Sequence, residues 1–261
     1  VGMQCIAHSH SSNSNFNKLT KTLHTINKKR INKLADVRLA CSDAAGHFIF
    51  GSSDFEVIKN GIDTEKFSFN HAYRDEIRRE FDIGDRFMLC HVGMFAPVKN
   101  HEFLIDIFAS VIKKHPDSVL LLVGTGSEEE KIREKVSMLG LSEKVIFAGR
   151  RTDVEKIMSA ADAFVFPSHF EGLGIVLIEA QSSGLNCFVS DAVPEEAKLL
   201  ENLEFISLDI GADAWADRIV SAVLNPNRAL ASAAVAAAGY DCKLTAARIE
   251  EIYSQQIALC L

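Results

Sequence analysis

The sequence predicts an α/β protein built on a Rossmann-like, doubly wound parallel sheet, and three observations predict it. Apolar runs at 87–93, 119–123, 145–148, 162–166, 187–190 and 204–208 are each followed by a helical pattern, the alternation expected of parallel βα units. Gly93, Gly124, Gly149, Ser168 and Asp191 stand where these runs end, the side on which such sheets hold ligands. The strand-length run 162–166 is stopped by Pro167 and Ser168 and gives way to a turn with two glycines, Gly172 and Gly174, and then to a helical run closed by Gly184.

The segment before this alternation reads as strand, helix, strand, helix, strand. Gln4-Cys-Ile-Ala7 is a strand end, followed by His8-Ser-His10 and a polar run, 11–15. Those histidines stand either at an active-site strand end or in a solvated loop. Phe16, Leu19, Leu23, Ile26, Ile31 and Leu34 recur at helical spacing. Lys18, Lys21, Lys28, Lys29, Arg30 and Lys33 occupy the other faces, with no acid between 18 and 33. This is either the solvated face of a packed helix or a peripheral membrane contact through 16–34, drawn to anionic lipid. Arg38 to Cys41 reads as a strand, and Ser42 as the N-cap of a helix over 43–50. Val57-Ile58 is a short strand running into Asn60-Gly61, a turn dipeptide. After the last strand come three helical patterns. Ala212 to Leu224 carries Trp215 and Ile219 on one face, 227–239 is alanine-rich, and Leu244 to Leu259 closes the chain.

Composition narrows the function classes. The 261 residues are 48% hydrophobic and 24% charged, enough apolar material for a real core. No apolar run is long enough to span a membrane, and no signal-peptide pattern precedes the first strand. The chain begins Val1-Gly2-Met3, which reads as a piece or a processed product. Cys5, Cys41, Cys90, Cys187, Cys242 and Cys260 are scattered singly. Neither a zinc knuckle nor a redox pair is present, and reduced cytoplasmic thiols are expected. Cys90 and Cys187 lie in apolar runs as small buried hydrophobes. The formal charge is −7, but residues 18–33 carry six basic residues and no acid, leaving −13 on the remainder; one local basic face on an acidic chain argues against a nucleic-acid partner.

The chemistry concentrates around Gly172 and Gly174. A strand, a glycine turn and a helix start aim backbone N–H groups at an anion, aided by the helix dipole. Glu171 precedes the glycines and Glu179 lies one turn into the helix. Carboxylates beside an anion site make sense when the ligand also carries hydroxyls. A nucleotide sugar has a diphosphate for the amides and hydroxyls for the carboxylates.

Glu171-Gly-Leu-Gly-Ile-Val-Leu-Ile-Glu179-Ala resembles the E-x7-E motif of the retaining glycosyltransferases of family 4, which have the GT-B fold. Gly93 to Asn100, Leu121-Leu-Val-Gly-Thr-Gly126 and Val145-Ile-Phe-Ala-Gly149 resemble neighbouring family segments in the same order, and the likeness spans roughly residues 36–225. The resemblance implies residues 1–70 as the end of an N-terminal acceptor domain with its linker. It implies 71–240 as the donor-binding domain and 241–261 as a helix crossing back. Lys99 would neutralise the donor diphosphate, and Asn100 would cap the helix that follows. Gly93 and Gly124 would border the donor. Gly124-Thr-Gly126 also reads as a tight turn chosen for steric reasons. Arg150 would stack on the nucleotide base, unless it is simply exposed. Glu171 would bind hydroxyls of the donor sugar and Glu179 those of the ribose, with amides near Gly172, Leu173 and Gly174 on the phosphate or sugar. His8 would lie near the acceptor and the reacting centre.

Met94 stands where the family often has an arginine, so one cation is missing. No Asp-x-Asp metal motif ends a strand, and no metal or cofactor is expected beyond a nucleoside-diphosphate sugar, a UDP-sugar for preference. The implied activity is transfer to a glycan or lipid-linked acceptor in bacterial surface polysaccharide synthesis, at the inner face of the membrane. A second reading is a non-catalytic nucleotide-sugar-binding module. A third, a sugar-nucleotide epimerase of the same architecture, is opposed by the Glu171–Glu179 spacing.

Overall fold

A computed structural model describes residues 4–10, 18–222 and 227–260, with side chains at 18–22 and 259–260 left aside. The polar run 11–15 and Phe16 lie outside the described residues. The chain forms two compact units, 1–63 with 239–261, and 64–238.

The first unit holds a parallel sheet ordered β1-β2-β3, from β1 (Ile6–Ser9), β2 (Val37–Ala40) and β3 (Glu56–Val57). Helix α1 (Lys18–Leu34) joins β1 to β2, and α2 (Asp43–Phe50) follows β2. Ser42 caps α2 as the sequence predicts, its Oγ accepting from the Ala45 N–H at 3.1 Å. The apolar stripe of α1 is only partly buried within this unit. Ile31 packs with Ala40, Ala45 and Phe50, while Leu23, Ile26 and Leu34 are 52%, 45% and 66% exposed. The cluster around Ile31 is filled by Ala7, Cys41, Ile49 and Phe55, and His24 stacks on Phe48 at 4.7 Å.

Asn60-Gly61 does not turn. Gly61 lacks a positive φ, and Ile62 forms a parallel bridge to Asp241. A Cβ at Gly61 would lie 2.7 Å from Cys242 Cα, so the glycine serves close backbone approach. The last helix, Cys242–Cys260, puts Ile252 with Leu39 and Ile58 in a small core. Arg248 donates to both carboxylate oxygens of Glu56, at 2.7 and 2.9 Å.

The second unit is organised by a parallel sheet with strand order β6-β5-β4-β7-β8-β9. Its strands are β4 (Phe87–Val92), β5 (Ser118–Val123), β6 (Val145–Gly149), β7 (Ala163–Phe166), β8 (Asn186–Ser190) and β9 (Leu203–Ile206). The central strands are apolar along their length because helices cover both faces. The helices are α3 (His71–Glu80), α4 (His101–Lys114), α5 (Glu129–Met138), α6 (Val154–Ala160), α7 (Ile175–Ser182), α8 (Ala212–Ser221) and α9 (Arg228–Val235). Trp215 and Ile219 of α8 are both buried, as their spacing predicts. The helix ends at Ser221, and Leu224 lies outside the described residues. The alanine-rich helix stops at Val235, and 236–240 form a wider turn in which Gly239 has φ 88°. Cys90 and Cys187 are fully buried, and burial pushes both thiols far above their ordinary value.

Two polar anchors fix the elements around β7. Its run starts at Ala163, just after Asp162, whose carboxylate accepts from Arg74 at 2.8 Å, Arg78 at 2.7 Å and the Met88 N–H at 2.8 Å. Buried Gln181 on α7 donates to Leu177 O and Ala197 O and accepts from the N–H groups of Leu199 and Leu200. The chain winds outward from β4 to β6, then returns to β7 on the other side of β4. That reversal leaves a crevice beyond the C-terminal ends of β4 and β7.

Candidate functional site

The site grows from the two loops at this reversal. After β4 the chain runs through Gly93 into a 3-10 turn, Pro97–Lys99, and into α4. After β7 it runs through Pro167 to Glu171 and the glycines into α7. Three bonds join these loops. The His169 N–H donates to Val98 O at 2.8 Å, Asn100 Nδ2 donates to Pro167 O at 3.1 Å, and Lys99 Nζ lies 2.7 Å from Glu171 Oε1. Both side chains of this ion pair are largely shielded, at 18% and 11% exposure. The Lys99 ammonium also lies 4.7 Å from the centre of the Phe166 ring.

Asn100 departs from its expected role. It precedes α4 in the left-handed region, φ 57°, but makes no side-chain cap. Its amide is committed to Pro167 O, and a left-handed cap residue does not have the extended backbone of an ordinary N-cap.

The glycines divide by function. Gly124 has φ 140°, and a Cβ there would lie 2.0 Å from Gly93 O. Gly126 is equally confined, with Phe95 O 2.3 Å from an added Cβ. Steric need accounts for both. Gly174 is left-handed, φ 72°, and starts α7 with no side-chain cap. Gly172 has open space around it and no positive φ. The first N–H groups of α7 therefore come next to the ion pair in sequence with no side chain capping them.

Glu179 lies one turn below Ile175 on the half-exposed face of α7, while Leu177, Ile178 and Gln181 face the core. Burial pushes its carboxyl up to about 7; Lys66 opposes this and Glu155 adds to it. Lys66 itself pairs with Glu155 at 3.3 Å. At neutral pH Glu179 is poised between its charged and uncharged forms.

Beneath the loops sits a group of rings that sequence reasoning missed. His91 on β4 is buried and held to Val165 O through Nδ1 at 2.8 Å. A carbonyl only accepts, so Nδ1 carries the proton and Nε2 the lone pair. The His91 ring stacks on Phe166, centroids 5.5 Å apart, and meets His101 edge-on at 4.7 Å. His101 stacks on Phe95 at 4.2 Å. Burial, His101 and Lys99 push the His91 imidazole well below its usual range. Burial, then Lys99, brings His101 to about 4. Both are neutral. The available signal was His91 itself, a polar residue inside the run Phe87-Met-Leu-Cys-His-Val92.

Lys99 and Glu171 are thus brought into contact, with Gly93, Gly172, Leu173 and Gly174 on the loops that carry them. Arg150 is exposed at the end of β6. Its neighbour Arg151 is the arginine that is engaged, by Glu80 and Asp153. His8 belongs to the first unit, where it is exposed, its ring 4.1 Å from that of His10. No helix among the described residues is long and apolar enough to cross a membrane.

Comparison with known proteins adds the following. Residues 73–238 match the family described as glycosyl transferases group 1. Over 259 residues the chain is 32% identical to a Bacillus subtilis protein provisionally named glycosyltransferase EpsF, covering 96% of this chain and 67% of that protein. Over 141 residues it is 33% identical to the Escherichia coli UDP-Gal:alpha-D-GlcNAc-diphosphoundecaprenol alpha-1,3-galactosyltransferase, covering 52% of this chain and 36% of that one. Among solved structures, Anabaena Alr3699/HepE in complex with UDP and glucose superposes with a TM-score of 0.77 at 23% identity, over 96% of this chain and 71% of that chain. That likeness establishes the α/β fold of a GT-B glycosyltransferase.

Proposed function

Because the chain belongs to the group 1 glycosyl transferases, we propose that it moves a sugar from a nucleoside-diphosphate sugar to a glycan or lipid-linked acceptor, with retention of configuration as in family 4. The observation that carries this reading is the Lys99–Glu171 pair, set between the ends of β4 and β7 beside the uncapped start of α7. Lys99 neutralises the diphosphate and supports it as the leaving group. The amides of Gly172, Leu173 and Gly174 receive the phosphate or the sugar. Glu171 exchanges its ammonium partner for hydroxyls of the donor sugar, and Glu179 takes those of the ribose.

The bond from the anomeric carbon to the diphosphate oxygen breaks, and a bond to the acceptor oxygen forms. The acceptor's proton passes to the departing diphosphate. Neither glutamate is assigned as a covalent nucleophile, and His8 is kept as the candidate near the acceptor. A UDP-sugar is the preferred donor, a choice supported by the uridine nucleotides named for the E. coli relative and the Anabaena neighbour. The same relative's diphosphoundecaprenol acceptor supports a place in bacterial surface polysaccharide synthesis, at the cytoplasmic face of the membrane. We further propose that no metal is needed, since Lys99 and the amides of α7 supply the positive charge. Membership of an enzyme family favours catalysis over a pure binding module.

Calorimetry with UDP, GDP and ADP, followed by transfer assays with and without a chelator, tests the reading. UDP binding weakened but still measurable in Lys99→Met, with turnover indifferent to the chelator, is the expected result. Absence of binding to all three nucleotides overturns it, and chelator-sensitive turnover overturns the metal-free step.

A further inference from the structure

We propose that Phe166 is a positioning residue for Lys99, a ring seat that holds the ammonium at the crevice when Glu171 is taken up by the donor sugar. The inference rests on the reading of Lys99 as the cation for the donor diphosphate. It goes beyond that reading by naming what keeps a single flexible lysine in place.

The geometry gives Lys99 three walls. Its ammonium lies 4.7 Å from the Phe166 centroid, within the range in which the negative ring face attracts a cation. Glu171 Oε1 lies 2.7 Å away. The stem passes Gly93, where an added Cβ would lie 3.5 Å from both Cδ and Cε of Lys99 and 3.0 Å from His91 Nε2. Phe166 cannot yield: it is fully buried at the end of β7. The His91 ring lies against it at an interplanar angle of 23°, and His91 is tied to Val165 O of the same strand. That neutral histidine adds no charge to compete with the ammonium.

The consequence concerns the moment of donor binding. A lysine held by a carboxylate alone is released when that carboxylate turns to sugar hydroxyls, and its four-carbon stem then regains its freedom. The ring face persists through the exchange. It keeps the ammonium beside the diphosphate although Met94 offers no second cation and is 62% exposed.

The test replaces Phe166 by mono-, di- and trifluorinated phenylalanine, which drains the ring face of negative potential with little change of shape. UDP affinity is then measured by calorimetry. Affinity is expected to fall stepwise, about tenfold across the series, within the range of a desolvated cation–ring contact. The same series in a Lys99→Met background is expected to be flat. In the unliganded protein the Lys99 Hε protons are expected upfield of ordinary lysine values from the ring current, a readout independent of any ligand. Unchanged affinity across the series, or unshifted Hε protons, overturns the seat while leaving the role of Lys99 intact. If Lys99→Met alone leaves UDP affinity unchanged, the donor reading itself fails, and the seat loses its function with it.

Discussion

The Lys99 ammonium lies 2.7 Å from Glu171 Oε1 across 72 residues of sequence, so the loops after β4 and β7 present one joint surface. Each partner neutralises the other; on the proposed function, a donor carrying both phosphate and hydroxyls engages them separately. Lys99→Met is expected to lower sugar transfer by about 100- to 1,000-fold, the range for losing one preorganised charge stabiliser. Transfer from radiolabelled UDP-sugar measures it. A fall under threefold would remove Lys99 from the chemistry.

Glu179 is expected to make stability and, on the proposed function, donor binding respond to pH with opposite signs. Its folded-state carboxyl titrates at about 7 against an ordinary value of 4.5. Between those values the folded protein holds a proton that the unfolded chain has released. Stability therefore falls as pH rises from about 4.5 to about 7 and levels off above, by at most about 3 kcal/mol from this group. Affinity for the ribose, which needs the carboxylate as acceptor, is expected to rise over the upper part of that window. Burial raises the midpoint, Lys66 works against it and Glu155 adds to it. Urea denaturation at pH 5 and pH 8, for the native protein and Glu179→Gln, reads the first effect. An equal pH dependence in both would assign it elsewhere.

Asp162→Ala takes the paired carboxylate from two guanidinium groups and leaves them backbone carbonyls alone, Ala160 O for both. Arg74, Arg78 and the Met88 N–H all lose an acceptor at once, and Arg78 is buried. Breaking a buried pair from one side costs about 3–5 kcal/mol. Chemical denaturation is expected to show a loss of that order. A loss under about 1 kcal/mol would mean that the arginines find water.

The strands of the second unit, the Ser42 cap and the Trp215–Ile219 face were legible in the sequence because local rules govern them: apolar runs between breakers, a hydroxyl before a helix, a 3.6-residue period. The strand, glycine turn and helix that carry Glu171 and Glu179 were legible for the same reason, being contiguous, while the pairing of the two glutamates rests on the family resemblance. The Asn100–Pro167 bond was not, because it joins residues that only the strand reversal brings together. Nor was the burial of His91 between Phe166 and His101, which depends on the neighbours of β4 in the sheet. The asparagine–glycine dipeptide rule predicts a turn at Asn60-Gly61 because it knows turns but not distant backbones; the constraint there is Cys242. The stripe of α1 fits either a packed helix or a membrane contact from sequence alone, and among its described residues Ile31 packs while Leu23, Ile26 and Leu34 stay about half exposed within their own unit.

Gly124→Ala separates a structural glycine from a ligand-binding one. Its φ of 140° disfavours any side chain. The added methyl would sit 2.0 Å from the Gly93 carbonyl oxygen, a contact that only backbone movement relieves. Gly93 is itself bonded to Val123 O through its N–H at 2.9 Å, and Gly124 to Gly149 O at 2.9 Å, so movement strains β4, β5 and β6 together. A destabilisation of more than about 2 kcal/mol is expected from the combined clash and strain. Gly172→Ala has open space and ordinary backbone and is expected to leave stability within about 0.5 kcal/mol. Its effect falls instead on UDP affinity, if the turn amides meet the phosphate. Thermal melts and calorimetry on the two variants therefore give opposite patterns: stability lost at 124, binding lost at 172. A Gly172→Ala protein that binds UDP as tightly as the native chain would move the phosphate away from that turn.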